Sequence, residues 1–242
     1  MANAPKFFAL AMAANPIVHP VTGRILETPE LRERGLAALR GRMAEAVATR
    51  ALERFPRDDE RFLLAFLRTA KYDVAKAFAR VCNFAIFWYG HRDLIDGLCA
   101  ARCRQFAELR MMQFLSGKDV AGNSLVALYM GALDPAKFSA RAQMEFSVYM
   151  LASVFDDDEQ QLSGVTYVET MAGFSLAASM GLSAKMSSKE QKAMMSLATS
   201  TFPLRIRRIL VVEQVRTPPS TPVWSPPSAP PTRPTPSPPV RP

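Results

Sequence analysis

The sequence contains few of the side chains that most enzymes use for acid–base chemistry or metal binding. It has only two histidines, His19 and His91, and three cysteines, Cys82, Cys99 and Cys103. A general base of the most common kind is therefore scarce. Cys99 and Cys103, one helical turn apart, supply too few ligands for a closed zinc site, and we interpret them as core residues. We expect a protein that is not an enzyme and that uses no metal and no cofactor.

Motifs for catalysis and for membrane insertion are also missing. The chain has no G-x-S-x-G elbow, no P-loop, no dinucleotide-binding glycine pattern and no H-E-x-x-H. No apolar run approaches the roughly 18 residues that span a bilayer, and the stretch Phe7 to Ala14 is only a weak match to a signal peptide. A sparse, odd number of cysteines is typical of a reducing compartment, so we expect a cytoplasmic protein.

Proline is concentrated at one end of the chain. Twelve of the 25 residues from Pro218 to Pro242 are proline, and such a segment can neither form a hydrogen-bonded ladder nor bury a core. We therefore predict a disordered Pro-rich tail over residues 216–242. Within it, the spacing Pro236-x-x-Pro239-x-Arg241 matches peptides that dock in aromatic grooves. This makes a polyproline-binding domain a candidate partner through Pro236 to Arg241.

Helical periodicity dominates the first half of the chain. Residues 1–27 show no steady period and are interpreted as an N-terminal arm. Thr28-Pro29-Glu30 then predicts a helix start, with a capping hydroxyl followed by proline and an acid in the first turn. We predict a helical module over residues 28–110, with helices from Thr28 to about Phe55, from a cap at Asp58, from a cap at Asp73, and from about Asp93 to Met111.

The second half of the chain has short apolar segments separated by turns, which favours strands. The alternation of these strands with helices predicts a mostly parallel sheet. We therefore predict an α/β fold class, in which an all-helical N-terminal module precedes an incomplete, mostly parallel sheet flanked by helices over residues 111–215. The predicted strands are Ser124–Met130, Gly164–Glu169 and Ile209–Val212, and the predicted helices are Ala140–Phe155 and a segment from the capping box Ser187-x-x-Glu190 to Thr201.

The chain is basic, with a net charge of +8, and basic proteins favour anionic partners. Arg205, Arg207 and Arg208 follow a predicted helix end, and strand alternation would place Arg205 and Arg207 on one face and Arg208 on the other. These side chains are either solvated charge or a site for phosphate or anionic headgroups, since guanidinium matches phosphate oxygens. We do not expect nucleic acid as a partner, because no aromatic platform is interleaved with the basic residues and no DNA-binding motif is present.

Four segments, in this order, resemble the CRAL-TRIO family of lipid-binding proteins. The clearest is FLRTAKYDVAKA, which is similar to the family signature FLRARKFDVEKA in its N-terminal helices. The resemblance covers roughly residues 30–213 and is greatest to the branch that contains the tocopherol and retinaldehyde carriers. The four segments are Gly35–Arg40, Phe66–Ala77, Asp119 to Pro135 with its turn and first strand, and Phe202–Arg207, which resembles the FPLKVR element.

This resemblance implies a helical module on an α/β lipid cage that carries tocopherol-, retinoid- or phospholipid-like ligands and associates transiently with membranes. It implies that Arg68, Arg205 and Arg207 contact phosphoinositide headgroups, phosphatidylinositol bisphosphate among them, at an anionic membrane surface, and we add the neighbouring Arg208. The candidate pocket residues, each of which could equally belong to an ordinary core, are Val126, Leu128, Met130, Met144, Val148, Val165, Tyr167, Ile209 and Val211.

Two departures from the family pattern lower the expected affinity. The family's F-D-L-E-G strand end is replaced by Val168 to Gly173, and the sequence after Gln214 changes to the Pro-rich tail where the family continues into further strands and a gate. Burying about 400 Å² of ligand gains about 10 kcal/mol, whereas immobilising it costs about 4–15 kcal/mol. We therefore expect a truncated cage with weak lipid binding. The alternatives are an interaction protein acting through its Pro-rich tail and a non-transferring product.

Overall fold

The computed structural model describes residues 17–132, 139–175, 180–181 and 184–212. The predicted Pro-rich tail, its Pro236–Arg241 motif and most of the predicted N-terminal arm lie outside the described residues. The statements about those segments therefore stay predictions.

A small hairpin precedes the first helix, where the sequence predicted only an arm. Strands β1 (Ile17–Val18) and β2 (Ile25–Leu26) pair antiparallel. Gly23, in the turn between them, has a φ of 63°, a conformation that glycine adopts at little cost. Ile25 is buried in the main core, so the hairpin is fixed against the helices that follow it.

Helices follow the hairpin, as the sequence predicted, although two of the predicted boundaries are wrong. The first helix ends at Ala48 and not near Phe55, because the Thr49 hydroxyl donates back to the Glu45 carbonyl and Arg50 takes a φ of 58°. The predicted fourth helix is interrupted at Gly97, where φ is 78°. The helices are α1 (Pro29–Ala48), α2 (Glu60–Thr69), α3 (Val74–Gly90), α4 (Arg92–Ile95) and α5 (Ala100–Glu108).

The predicted helix starts are mostly confirmed by their capping bonds. The side chains of Thr28 and Asp73 each accept a backbone N–H three residues further on, and Ser187 forms the predicted capping box. The cap of α2 is Asp59, so the prediction of Asp58 is wrong by one residue. Each cap satisfies a backbone donor that the first helical turn leaves unpaired.

The sheet of the second half is mostly parallel, as predicted. Its order is β3–β4–β5–β6, in which β3 pairs antiparallel with β4 and the other neighbours are parallel. The sequence missed β3, a segment without Val, Ile or Thr, and it placed the start of β6 at Ile209. The strands are β3 (Met112–Lys118), β4 (Ser124–Tyr129), β5 (Val165–Thr170) and β6 (Ile206–Val212).

Three helices whose bounds the structure describes accompany the sheet, and one of them ends in an unusual turn. They are α6 (Ala140–Ala152), α7 (Asp158–Ser163) and α8 (Ser188–Ser196). The backbone continues from α8 into a π-helical turn, Leu197–Thr201. Such turns are rare in proteins, and those that occur often lie at functional sites.

One hydrophobic core joins the helical module to the sheet. Phe84 on α3 has its ring centroid 5.3 Å from that of Phe62 on α2 and 5.3 Å from that of Phe202, which precedes β6. Phe155 completes the cluster, with its ring stacked on Phe62 at 5.2 Å. Aromatic pairs at these separations attract each other beyond the burial of their area. The helical module therefore packs against the segment that leads into the last strand and fixes its position.

Candidate functional site: an apolar cavity beside the last strand

An apolar cavity lies between one face of the sheet and the helices α6 and α8. Its volume is about 270 Å³. Its polar side chains are few, which is typical of sites for hydrophobic ligands. The lining residues are Met111, Met112, Leu128, Phe146, Ser147, Leu151, Tyr167, Glu169, Met194, Leu197, Ala198, Ile206 and Ile209.

The strand register explains which residues reach the cavity. Leu128 pairs with Met112 on one side and with Glu169 on the other, and Tyr167 pairs with Ile209. Paired residues of neighbouring strands point to the same face of a sheet, so these five side chains share one face. The opposite wall comes from helix positions three or four residues apart, which also share one face.

Three of the nine predicted pocket residues line this cavity: Leu128, Tyr167 and Ile209. Four others are buried core residues outside the cavity lining, namely Val126, Met144, Val148 and Val165. Met130 lies in a 3-10 turn after β4, and Val211 is largely exposed on β6, so these two also lie outside the lining. As a lipid-binding site, the predicted set of pocket residues stays a prediction.

Polar groups are concentrated at Tyr167 and Glu169 on β5. Burial, followed by the Glu169 carboxylate, raises the pKa of the Tyr167 phenol to about 12. The phenol therefore stays protonated at neutral pH and keeps a hydrogen to donate. The carboxylate places a negative charge in an apolar environment, where it repels another anion more strongly than in water. The cavity therefore presents one hydrogen-bond donor and one carboxylate to a bound molecule.

The cavity opens along β6, the edge strand. Ile206 and Ile209 line the cavity, yet they are 38% and 53% exposed. All seven residues of β6 are exposed, and Leu210, Val211 and Val212 extend the apolar surface along the strand. An exposed apolar edge strand is a site where other molecules associate.

Residues 110–219, which include the whole cavity wall, match the family model of the CRAL/TRIO domain. The match supports the CRAL/TRIO family for this part of the chain. It also supports lipid binding or transfer as the general function. The expectation drawn from the sequence resemblance is confirmed to that extent, whereas the tocopherol and retinaldehyde branch and the truncated cage stay predictions.

Two features are absent from the described residues. No helix among them is both long enough and apolar enough to cross a bilayer. The same part of the chain contains no group of three or more His, Cys, Asp and Glu side chains placed to hold a metal ion.

Arg68, which the resemblance assigned to headgroup contact, is buried at the boundary between the helical module and the α/β part of the chain. It is 2% exposed. Its Nε and Nη2 donate to Glu27 at 2.8 Å, and its Nη1 donates to Asp158 and Gln161 at 2.7 Å. Four of its roughly five N–H donors are therefore occupied inside the protein, and we remove Arg68 from the candidate headgroup residues.

Arg205 is also buried, and backbone carbonyls hold it. It is 6% exposed, and its guanidinium donates to the carbonyls of Leu162 and Gly23 at 2.7 Å each. Burial, with a smaller effect of the nearby Arg207, lowers the pKa of Arg205 to about 10. Among the described residues no carboxylate pairs with it. It therefore adds positive potential to this end of the sheet without being accessible to a headgroup.

Arg207 and Arg208 are the two predicted headgroup residues that solvent reaches. A register shift pairs Arg208 with Thr166 and leaves Arg207 as an extra residue, so the simple alternation predicted for these arginines is interrupted. Arg207 lies against two glycines, and a Cβ at Gly164 would be 2.5 Å from its Cγ. Within the described residues neither arginine has an ion-pair partner. Both side chains are exposed, although the Arg207 guanidinium packs on one side against Gly23.

Proposed function

We propose that this protein binds a neutral hydrophobic lipid in the cavity between the sheet and α6 and α8. Part of the lipid lies uncovered along β6. The observation that carries the proposal is an apolar cavity, within the stretch that matches the CRAL/TRIO domain, whose open side is an exposed apolar strand. The domain match supports lipid binding in general, and the polarity of the lining supports a ligand with a hydroxyl group.

The size of the cavity supports weak binding. Its volume of about 270 Å³ is just below the range of about 300–1,000 Å³ for ligand pockets. It accommodates a chain segment or a ring system, and the rest of a lipid remains in contact with solvent. Because affinity grows with the apolar area buried, partial enclosure limits it.

We further propose that Arg207 and Arg208 recognise anionic membrane headgroups, phosphoinositides included, during transient membrane association. Burial, and to a smaller extent the nearby Arg207, lower the pKa of Arg205, as expected for two neighbouring cations that repel each other. A phosphate group bound by Arg207 would offset that repulsion while gaining charge-assisted hydrogen bonds. A polyanionic headgroup benefits most, because it can contact both exposed guanidinium groups.

The test is vesicle binding by Arg207→Ala combined with Arg208→Ala. Each basic residue near an anionic surface contributes about 1 kcal/mol, so we expect about a tenfold or greater loss of affinity for vesicles that contain a phosphoinositide. The loss should shrink at high salt, because exposed charges are screened. Cosedimentation at two salt concentrations measures both effects.

The matched control is Arg40→Ala combined with Arg104→Ala. Both residues are exposed on helices of the N-terminal module, and the change in net charge is the same. We expect this control to lose much less affinity. Equal binding by the two double variants would mean that net charge alone, and not Arg207 and Arg208, attracts the protein to the vesicle.

A further inference from the structure

A second surface with the chemistry of a membrane contact lies on the outer side of α8. A groove of about 380 Å³ separates the C-terminal half of α3 from α8 and its π-helical turn. Lys189, Lys192 and His91 line it, together with the hydroxyl groups of Ser196, Ser200 and Thr201. None of these residues belongs to the lipid cavity or to the arginine pair on β6.

The cations of this groove are weakly engaged. The Lys189 Nζ donates only to the Gly90 carbonyl, at 3.4 Å, and Lys192 has no hydrogen bond or ion pair within the described part of the chain. The nearest acidic side chains already have partners: Glu190 accepts from Ser187 in the capping box, and Asp93 pairs with Arg141. The groove therefore favours an anion.

Large apolar side chains stand exposed beside these cations. Ile86 lines the groove and is 64% exposed, and Met195 on α8 is 78% exposed. Solvent-exposed apolar side chains next to lysines match the interface of an anionic bilayer, where apolar groups enter the headgroup layer and ammonium groups remain among the phosphates. A nucleic acid or an acidic peptide would use the lysines but would leave Ile86 and Met195 in water.

Helix α8 and its π-helical turn connect this groove to the lipid cavity. Met194, Leu197 and Ala198 form a wall of the cavity, while Lys189, Lys192 and Met195 lie outside that wall. Only the backbone of α8 and its π-helical turn separates a ligand in the cavity from the outer surface of the helix. Contact at the groove would thus place a cavity wall directly on the membrane.

We propose that the groove between α3 and α8 docks on anionic phospholipid bilayers, with Lys189 and Lys192 on the headgroup phosphates and with Ile86 and Met195 in the interface. This inference rests on the proposed lipid-carrying function. Together with Arg207 and Arg208 it gives the protein two basic contacts, one on β6 and one on α8, and both of these elements line the cavity.

The experiment compares Lys189→Glu/Lys192→Glu with the charge-matched control Arg40→Glu/Arg104→Glu. The probes are phosphatidylcholine vesicles with and without phosphatidylserine, and separately a fluorescent neutral lipid without vesicles. We expect the groove variant to lose about tenfold or more in affinity for phosphatidylserine vesicles and to bind the fluorescent lipid like the wild type. A tryptophan at Met195 (Met195→Trp) should show blue-shifted emission on these vesicles.

Different failures separate the two proposals. Vesicle binding by the groove variant equal to that of the control, or an unshifted Met195→Trp emission on bound protein, would overturn the docking surface. Absence of fluorescent-lipid binding by the wild type would instead overturn the proposed function. A separate titration with inorganic phosphate is the third probe. Loss of phosphate binding in the groove variant with its vesicle binding intact would assign the groove to a small soluble anion and contradict the inference.

Discussion

Replacing Arg68 with alanine is expected to lower the free energy of unfolding by about 3–5 kcal/mol, the range found when one partner of a buried ion pair is removed. The variant leaves the largely buried Glu27 carboxylate and the Gln161 side chain without their guanidinium partner. The exposed Asp158 loses much less, because water can replace its contact. Equilibrium unfolding in urea, followed by circular dichroism, measures the change.

An exposed ion pair provides the control for this prediction. Arg32 pairs with Glu60, and both side chains are nearly half exposed, so Arg32→Ala should cost about 0–1 kcal/mol. The pKa of Glu27 is lowered, since its hydrogen bonds from Arg68 and Tyr72 outweigh the opposing effect of burial. The contribution of the ion pair is therefore present above pH 4.5 and is lost as the pH falls further. Equal losses for the two variants would contradict a structural role for Arg68.

Filling the cavity is expected to have the largest effect on ligand affinity. Ala198 lines it from the π-helical turn, and an indole ring at this position occupies much of its volume. We expect Ala198→Trp to raise the dissociation constant for a fluorescent neutral lipid about tenfold or more, because roughly 1.4 kcal/mol of lost binding energy already gives a factor of ten. Fluorescence titration measures the affinity.

The corresponding control is Ala75→Trp on the exposed side of α3. It introduces the same side chain outside the cavity and should bind the lipid like the wild type. Circular dichroism spectra and unfolding curves of both variants show whether the fold is retained, since overpacking a core can destabilise it by about 1–3 kcal/mol. Wild-type affinity in a folded Ala198→Trp variant would place the ligand elsewhere.

Local sequence signals predicted much of the fold. The caps at Thr28, Asp73 and Ser187 depend on residues within one helical turn, and the short apolar segments that became β4 and β5 are bounded by turns. The hairpin β1–β2 was missed because two-residue strands leave too little periodicity to recognise. Features that depend on neighbouring residues in the chain could therefore be predicted. Features that depend on strand pairing were harder to predict.

The candidate site was harder to predict than the fold, because it depends on contacts between residues far apart in the chain. The sequence could not reveal that Arg68 is paired with Glu27, which lies 41 positions away, or that Arg205 donates to Gly23, which lies 182 positions away. The sequence named Leu128, Tyr167 and Ile209 as pocket candidates together with six residues that lie outside the cavity lining. Which side chains on that face meet a cavity, and which meet packed helices, depends on where α6 and α8 cross the sheet.

The cavity itself can be tested directly by NMR of the protein labelled with ¹³C at its methionine methyl groups. Met112 and Met194 line opposite walls of the cavity, whereas Met43 is buried in α1 among the core residues of the helical module. Titration with a neutral single-chain lipid should shift the Met112 and Met194 signals saturably and leave that of Met43 in place. Saturable lipid binding without any change at Met112 and Met194 would contradict a lipid site between the sheet and α8.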